Sequence, residues 1–326
     1  MTDIPDMDPA ENVDAQLRGV SDPGLRSALQ TLAKTLEERH TPGVESGQDV
    51  EERQARAVQL QLPIFAEALA LPNAFLRAAL FPVLDSKRPR QFVKKLPVFA
   101  VGDLEVTFTG EQFDQGDLDV LAGILEIGSP VELGNEFRFS SYQLLKLLGK
   151  PTGGKEYAWL HETLIRLNGG TVEVKKKRRL FFGSFIEGGF EDKAAKEYSV
   201  RINPKLGVLF GFDMWSQVDR EQRRALGRNG TAKALHGYYS SHVEPGPHRY
   251  ETLAAIAGLQ NKQKADLKRK VVKAHEALKS PKCGFLEGYE AGPETITVRK
   301  RKATTSQGRH ALKQPAKRSK KKKTNR

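Results

Sequence analysis

Lys155, Trp159, Glu162 and Arg166 recur at helical spacing, which places them along one side of an α-helix. Arg166 carries a two-pronged donor that matches a guanine edge, and Glu162 can accept from the amino group of cytosine. Lys155 supplies a point charge for a phosphate. A second set, Lys262, Arg269 and Lys273 with Lys270 at its boundary, lies opposite the apolar stripe Leu267, Val271, Ala274 and Leu278. Between the two sets stand five consecutive cations, Lys175, Lys176, Lys177, Arg178 and Arg179. Such a run repels itself, and a polyanion is the simplest partner for it. This is the chemistry of recognition rather than of bond breaking.

Signatures of catalysis are missing from the sequence. The segment Gly149-Lys150-Pro151-Thr152-Gly153-Gly154-Lys155-Glu156 imitates a phosphate-binding loop, but Glu156 replaces the hydroxyl that would hold magnesium. It also follows a helix rather than a strand, so its glycines read as the turn between two helices. His236, His242 and His248 are spaced by six residues, which matches no helical metal pair. There is one cysteine, Cys283, and no nucleophile elbow. The chain is therefore expected to be no enzyme and to carry no cofactor or metal.

The elements that would position these residues form an α+β pattern. Val98–Thr109 alternates like a strand or strand pair, Phe113–Ile127 has helical period, and Phe137–Phe139 is a short strand into the N-cap Ser140. A helix through Leu148, a glycine turn and a helix over Gly154–Leu167 follow. Thr171–Val174 and Leu180–Ile186 pair as a hairpin with the cationic tip, and Tyr198–Ile202 is a further strand. The second half repeats the plan with helices at Asp219–Arg228, Thr231–His242, Thr252–Leu259 and Lys262–Lys279. Its hairpin is Gly284–Tyr289 with Thr295–Val298. Two glycines and an asparagine in Leu226–Gly230 predict a break before the second helix of this half. The order corresponds to tandem winged helices, at about 93–212 and 213–298.

The formal charge is +13, and its distribution matters more than its size. Residues 299–326 hold thirteen Lys and Arg with no Asp or Glu, whereas residues 1–58 hold twelve acids against six bases. The first reads as a disordered polybasic tail that binds polyphosphate without sequence choice, and residues 1–92 as a largely flexible acidic arm and linker. Basic Leu80–Pro97 is expected to lie along phosphates as part of that linker. No secretory signal or membrane-length apolar run is present, so a cytoplasmic protein without membrane contact is expected.

Tyr238-Tyr239-Ser240-Ser241-His242, Glu244-Pro245, Pro247 and Glu251-Thr252-Leu253 resemble the TrfA family of plasmid replication initiators. So do Thr107–Glu111, Phe139–Leu148 around Tyr142, and Val208-Leu209-Phe210. The resemblance runs in one order from about Leu96 to Leu278. It implies a tandem winged-helix protein that binds repeated double-stranded origin sites and opens an adjacent A+T-rich segment, with contact to its single strand. It also implies recruitment of the host replicative helicase and its loader, and a monomer–homodimer equilibrium. Gln59-Leu60-Gln61-Leu62-Pro63-Ile64-Phe65 is similar to the bacterial sliding-clamp-binding motif. By that resemblance Gln59 bonds at a pocket rim beside Leu60, while Leu62, Ile64 and Phe65 fill an apolar groove. Two alternatives stay open: a repressor of its own operon, which needs no clamp peptide, and a nicking or priming enzyme.

Overall fold

Residues 68–301, apart from 86, 177–178, 193–195, 211–214 and 260–262, are described by a computed structural model of the chain. The clamp-like peptide, most of the acidic arm and the polybasic tail lie outside them. The described residues belong to one compact unit. No helix among them is long and apolar enough to cross a membrane.

The chain begins with β1 (Ala68–Pro72) and a single turn, α1 (Asn73–Leu76), followed by β2 (Phe92–Val98), β3 (Leu104–Glu111) and α2 (Gln115–Ile127). Asp114 starts α2 as a capping box, accepting from the N–H groups of Gly116 and Asp117 while Asp117 accepts from its own N–H. Next come β4 (Glu136–Ser140), α3 (Ser141–Leu147) and α4 (Gly154–Gly169). The hairpin β5 (Thr171–Lys176) and β6 (Arg179–Gly183) precedes β7 (Ile186–Asp192) and β8 (Glu197–Ile202). After a 3-10 turn (Pro204–Phe210) and β9 (Trp215–Asp219), the chain forms α5 (Arg220–Ala225), α6 (Gly230–Ser240), β10 (His248–Arg249), α7 (Tyr250–Ile256) and α8 (Lys264–Lys279). It finishes with β11 (Leu286–Ala291) and β12 (Thr295–Lys300).

One arrangement occurs twice. In the first module a helix (α2), a strand (β4), two helices (α3, α4) and a hairpin (β7–β8) build a three-stranded sheet of order β4-β8-β7. In the second, α6, β10, α7, α8 and β11–β12 build the order β10-β12-β11. The predicted cationic hairpin is an insertion into the first module. Its strands join β2 and β3 in a separate sheet of order β2-β3-β5-β6, with Lys176 opposite Arg179. The expected helix break is at Leu226–Gly230, where Gly227 takes a left-handed φ of 56° and Asn229 caps α6.

Each module has its own apolar centre. Phe81, Phe113 and Phe185 pack face to face in the first, beside Leu121, Ile124, Leu144 and Leu160. Tyr238, Tyr239, Leu253, Val271 and Leu278 form the second. Residues 68–81, expected as part of a flexible arm and linker, are core instead: Leu71, Phe75, Leu80 and Phe81 are buried, and β1 pairs antiparallel with β9. A proline-broken apolar run looks dispensable until a partner strand completes it, and that partner lies far along the chain. The same segment reaches the second module. The Val83 N–H donates to the Ala257 carbonyl (2.8 Å), and the Arg77 guanidinium donates to the hydroxyl and carbonyl of Ser241.

Two carboxylates of α2 complete the assembly. Asp117 is fully buried and accepts from Arg90 (2.7 Å) and Arg166 (2.9 Å). Burial and the neighbouring Asp114 raise its pKa, against the opposing pull of the two guanidiniums. Two residues on, Asp119 faces the second module and accepts from Arg223 Nε (2.5 Å) and Lys233 Nζ (2.6 Å). Burial pushes its pKa up, but the two cations outweigh that and hold it below the usual value. Arg223 further donates to Gln115 Oε1 (2.9 Å), whose amide donates to the Phe81 carbonyl (2.6 Å), while Arg220 pairs with Glu126.

Asp119→Ala leaves the Arg223 and Lys233 charges without their carboxylate, and we expect a loss of about 3–5 kcal/mol in urea unfolding, because breaking a buried pair strands its partner. Asp119→Asn, which keeps the shape, loses less. A second prediction concerns acid. His275 Nδ1–H donates to the Val271 carbonyl (2.8 Å), so Nε2 accepts from the Tyr239 hydroxyl (2.8 Å) and the ring is neutral. Burial lowers its pKa to about 4, and that of His236 to about 3. The unfolded chain therefore binds these protons first: stability is full above about pH 6.5 and falls as pH drops towards 4, by roughly 3 kcal/mol for His275. Chemical denaturation across that window measures the slope, and His275→Gln should flatten it.

Candidate nucleic-acid interface

The turn between α3 and α4 aims the longer helix outward. Ser140 caps α3 by accepting from the Gln143 N–H (3.0 Å), Gly149 leaves it with φ 64°, and α4 begins at Gly154. Leu160, Thr163, Leu164 and Leu167 bury one side of α4 against the first core. The opposite side presents Lys155, Ala158, Glu162 and Ile165, the last 56% exposed.

That face is rotated by roughly 50° from the expected one, at 100° per residue. Lys155 and Glu162 are on it; Trp159 and Arg166 are not. The Arg166 side chain is 8% exposed and is held by Asp117 Oδ1 and Thr163 Oγ1 (both 2.9 Å), so it secures α4 to α2 and cannot reach a base edge. Trp159 is half-buried against the first core, with the Lys150 ammonium 4.0 Å from its ring centroid. Helical spacing opposite Leu160, Leu164 and Leu167 puts both on the outer side, but a second flank of α4 is also covered. Thr163 is in fact buried and Ile165 exposed, and α2 covers the flank in between.

On α8 the expected face is largely present. Arg269, Lys270 and Lys273 are exposed, as is Lys264. Asp266 draws on both Arg269 and Lys270 (3.0 Å to the latter), and Lys264 approaches Glu251 (3.6 Å). Lys273 meets no carboxylate among the described residues. Lys262 lies outside them.

The cationic hairpin is less naked than its sequence suggests. Lys175 bonds Glu105 (3.1 Å) and Lys176 approaches Asp103 (4.0 Å), both carboxylates coming from β3 and the turn before it. Two of the five cations thus have carboxylates of the fold beside them as well as any polyanion, in exposed pairs that add little stability. Arg179 opens β6, and Lys177 and Arg178 lie outside the described residues. The hairpin that follows α4 in the repeated order is β7–β8: Tyr198–Ile202 is the further strand expected from the sequence, and β7 is the partner that was not expected. Its Gly188-Gly189 pair and exposed Phe190 give a weak strand signal, and only the pairing with β4 through β8 makes it plain.

The family model described as TrfA protein matches residues 26–288. The chain belongs to the TrfA family. A curated relative, the plasmid replication initiator protein TrfA of Escherichia coli, is 26% identical over 270 residues, covering 75% of this chain and 69% of that protein. Among solved structures, a selenomethionine form of RctB domains 2 and 3 covers 71% of this TrfA-family chain at 13% identity and TM-score 0.46. The Pi initiator protein in complex with iteron DNA covers 58% of it and 95% of its own chain, at 11% identity and TM-score 0.43.

By element order, the two helices bearing outward cations in this TrfA-family chain, α4 and α8, occupy the same place in the two repeats. Arg166→Ala should lower stability by about 1–3 kcal/mol, because it leaves Asp117 short of a charged partner, whereas Lys155→Ala should stay within about 0.5 kcal/mol. Thermal melts separate the two roles. Equal midpoints for both variants would return Arg166 to the surface.

Proposed function

We propose that this chain initiates plasmid DNA replication as a tandem winged-helix protein bound to repeated origin sites. The observation that carries the reading is the duplicated order of helix, strand, two helices and hairpin with the same strand order in both sheets. Each repeat offers one long helix with a face that is free of the core and carries a cation, the geometry a major groove accepts. Membership of the TrfA family supports the same reading.

In this account Lys155, Lys273 and the basic hairpin hold phosphates, and Glu162 and Arg269 meet base edges. Two modules joined into one unit grip neighbouring grooves. Any bend they impose lowers the cost of unpairing flexible A+T steps nearby, so opening needs no hydrolysis by this chain and the protein acts without being an enzyme. Gln59, Leu60, Leu62, Ile64 and Phe65 then bring in the sliding clamp from a segment just ahead of β1, and the opened strand and the host helicase with its loader follow. The work is done in the bacterial cytoplasm.

Footprinting across the origin, with permanganate probing of unpaired thymines, should give regular protected repeats beside a reactive A+T patch. In binding assays Lys155→Ala and Lys273→Ala should each weaken all sequences alike and lower the salt slope by about one, while Glu162→Ala relaxes preference at one position. Leu62→Ala with Phe65→Ala should abolish clamp binding and replication but spare origin binding. Replication unchanged by that pair, with intact repression of the chain's own promoter, would favour a repressor instead.

A further inference from the structure

Between the two modules lies a cleft of ≈230 Å³ whose wall is formed by α2, the α3–α4 turn and the segment from Arg220 to Lys233. Its charges do not balance. Asp119 takes Arg223 and Lys233, Glu126 takes Arg220, and Arg224 bonds Glu221 at 2.7 Å. Lys150 and Arg228 line the same cleft and meet no carboxylate among the described residues.

These two cations feel each other. Lys150 is half-buried, and burial lowers its pKa; Lys233 presses the same way, Asp119 and Asp114 oppose it, and Arg228 adds the smallest push downward. The backbone is shaped around the cluster. Gly149 sits at φ 64°, and a Cβ there would come within 2.6 Å of Arg224 Nε, so only glycine lets that guanidinium lie across the turn. Lys150 is recessed and Arg228 stands exposed at the cleft's edge, so an anion entering there meets two cations that have no carboxylate of their own among the described residues.

We propose that this cleft binds a phosphate group, with Lys150 and Arg228 as its two donors. A recess this size is below the ~300–1,000 Å³ of a drug-sized ligand site, and suits one or two phosphates rather than a whole nucleotide. Glu156 also lines it and opposes a second negative charge at its end of the cleft, which sets the site apart from a magnesium-nucleotide loop. The group comes either from the DNA backbone at the seam between the modules or from a free phosphate compound.

Two measurements on the full chain test this. In the absence of DNA, thermal midpoints are followed during titration with inorganic pyrophosphate, at ionic strength matched with chloride. With duplex origin DNA, log K is followed against log salt concentration. Lys150→Ala with Arg228→Ala should remove the pyrophosphate-induced rise, Glu156→Gln should enlarge it, and Lys279→Ala should leave it unchanged. Removing Lys150 also removes its contact with the Trp159 ring, so the pyrophosphate-induced rise is read for each variant from its own midpoint without pyrophosphate. A salt slope lowered by about two in the double variant assigns the site to backbone phosphates, and an unchanged slope with the pyrophosphate response lost assigns it to a free compound. The proposal is overturned if both measurements ignore the double variant, or if Lys279→Ala does as much. Absence of origin binding by the unmodified protein would sink the initiator reading alone, because the pyrophosphate titration needs no DNA.

Discussion

Helix α2 carries two acids, Asp117 and Asp119, and most of the architecture is arranged around where they point. A separation of two residues turns them to opposite sides of the helix. Asp117 faces inward to its own module, where it fixes α4 through Arg166 and the approach to β2 through Arg90. Asp119 faces the other module, where it collects Arg223 and Lys233. The two sites meet burial differently: with Asp114 beside it, Asp117 is pushed towards its neutral form, whereas Asp119, flanked by two cations, is held ionised. Ion pairs of this kind add little net stability compared with an apolar contact, but they are directional, and a rotation of one module would strand several charges at once.

That constraint explains why the amino-terminal strand matters. β1 completes β9 just before α5 delivers Arg220, Arg223 and Arg224, and Gln115 of α2 ties Arg223 to the Phe81 carbonyl. At the far end of the segment, Gly258 turns with φ 66° where a side chain would overlap Pro82. The segment from Leu69 to Phe81 packs in the first core, while Arg77 and Val83 bond to the second module, so this stretch ties the two modules together. The two outward helices, α4 and α8, stand one in each of the modules so joined.

Local signals were enough to read most elements from the sequence. Ser140 is the cap expected of it, and the break at Leu226–Gly230 follows from its two glycines and asparagine; Asp114 and Asn229 prove to be caps that were not singled out. The outer face of α8 was legible because its stripe of Leu267, Val271, Ala274 and Leu278 is unbroken. The face of α4 was not, since charge on Arg166 and apolarity on Ile165 both give the wrong sign when the partner is a buried carboxylate elsewhere in the chain. Long-range pairings account for the other departures. Residues 68–81 became core only when β9 met β1, the basic Leu80–Pro97 linker became part of a sheet and an ion pair, and the hairpin β5–β6 joined β3 rather than the sheet beside α4.

The account stands on the reading helices being held at one separation by the Asp119 cluster. Spin labels placed at Glu162→Cys and Lys273→Cys, in a Cys283→Ser background, report that separation by pulsed dipolar spectroscopy. A single narrow distance distribution that broadens when Asp119→Ala is added is the predicted result. A broad distribution with Asp119 intact, or a narrow one that ignores its removal, would contradict it.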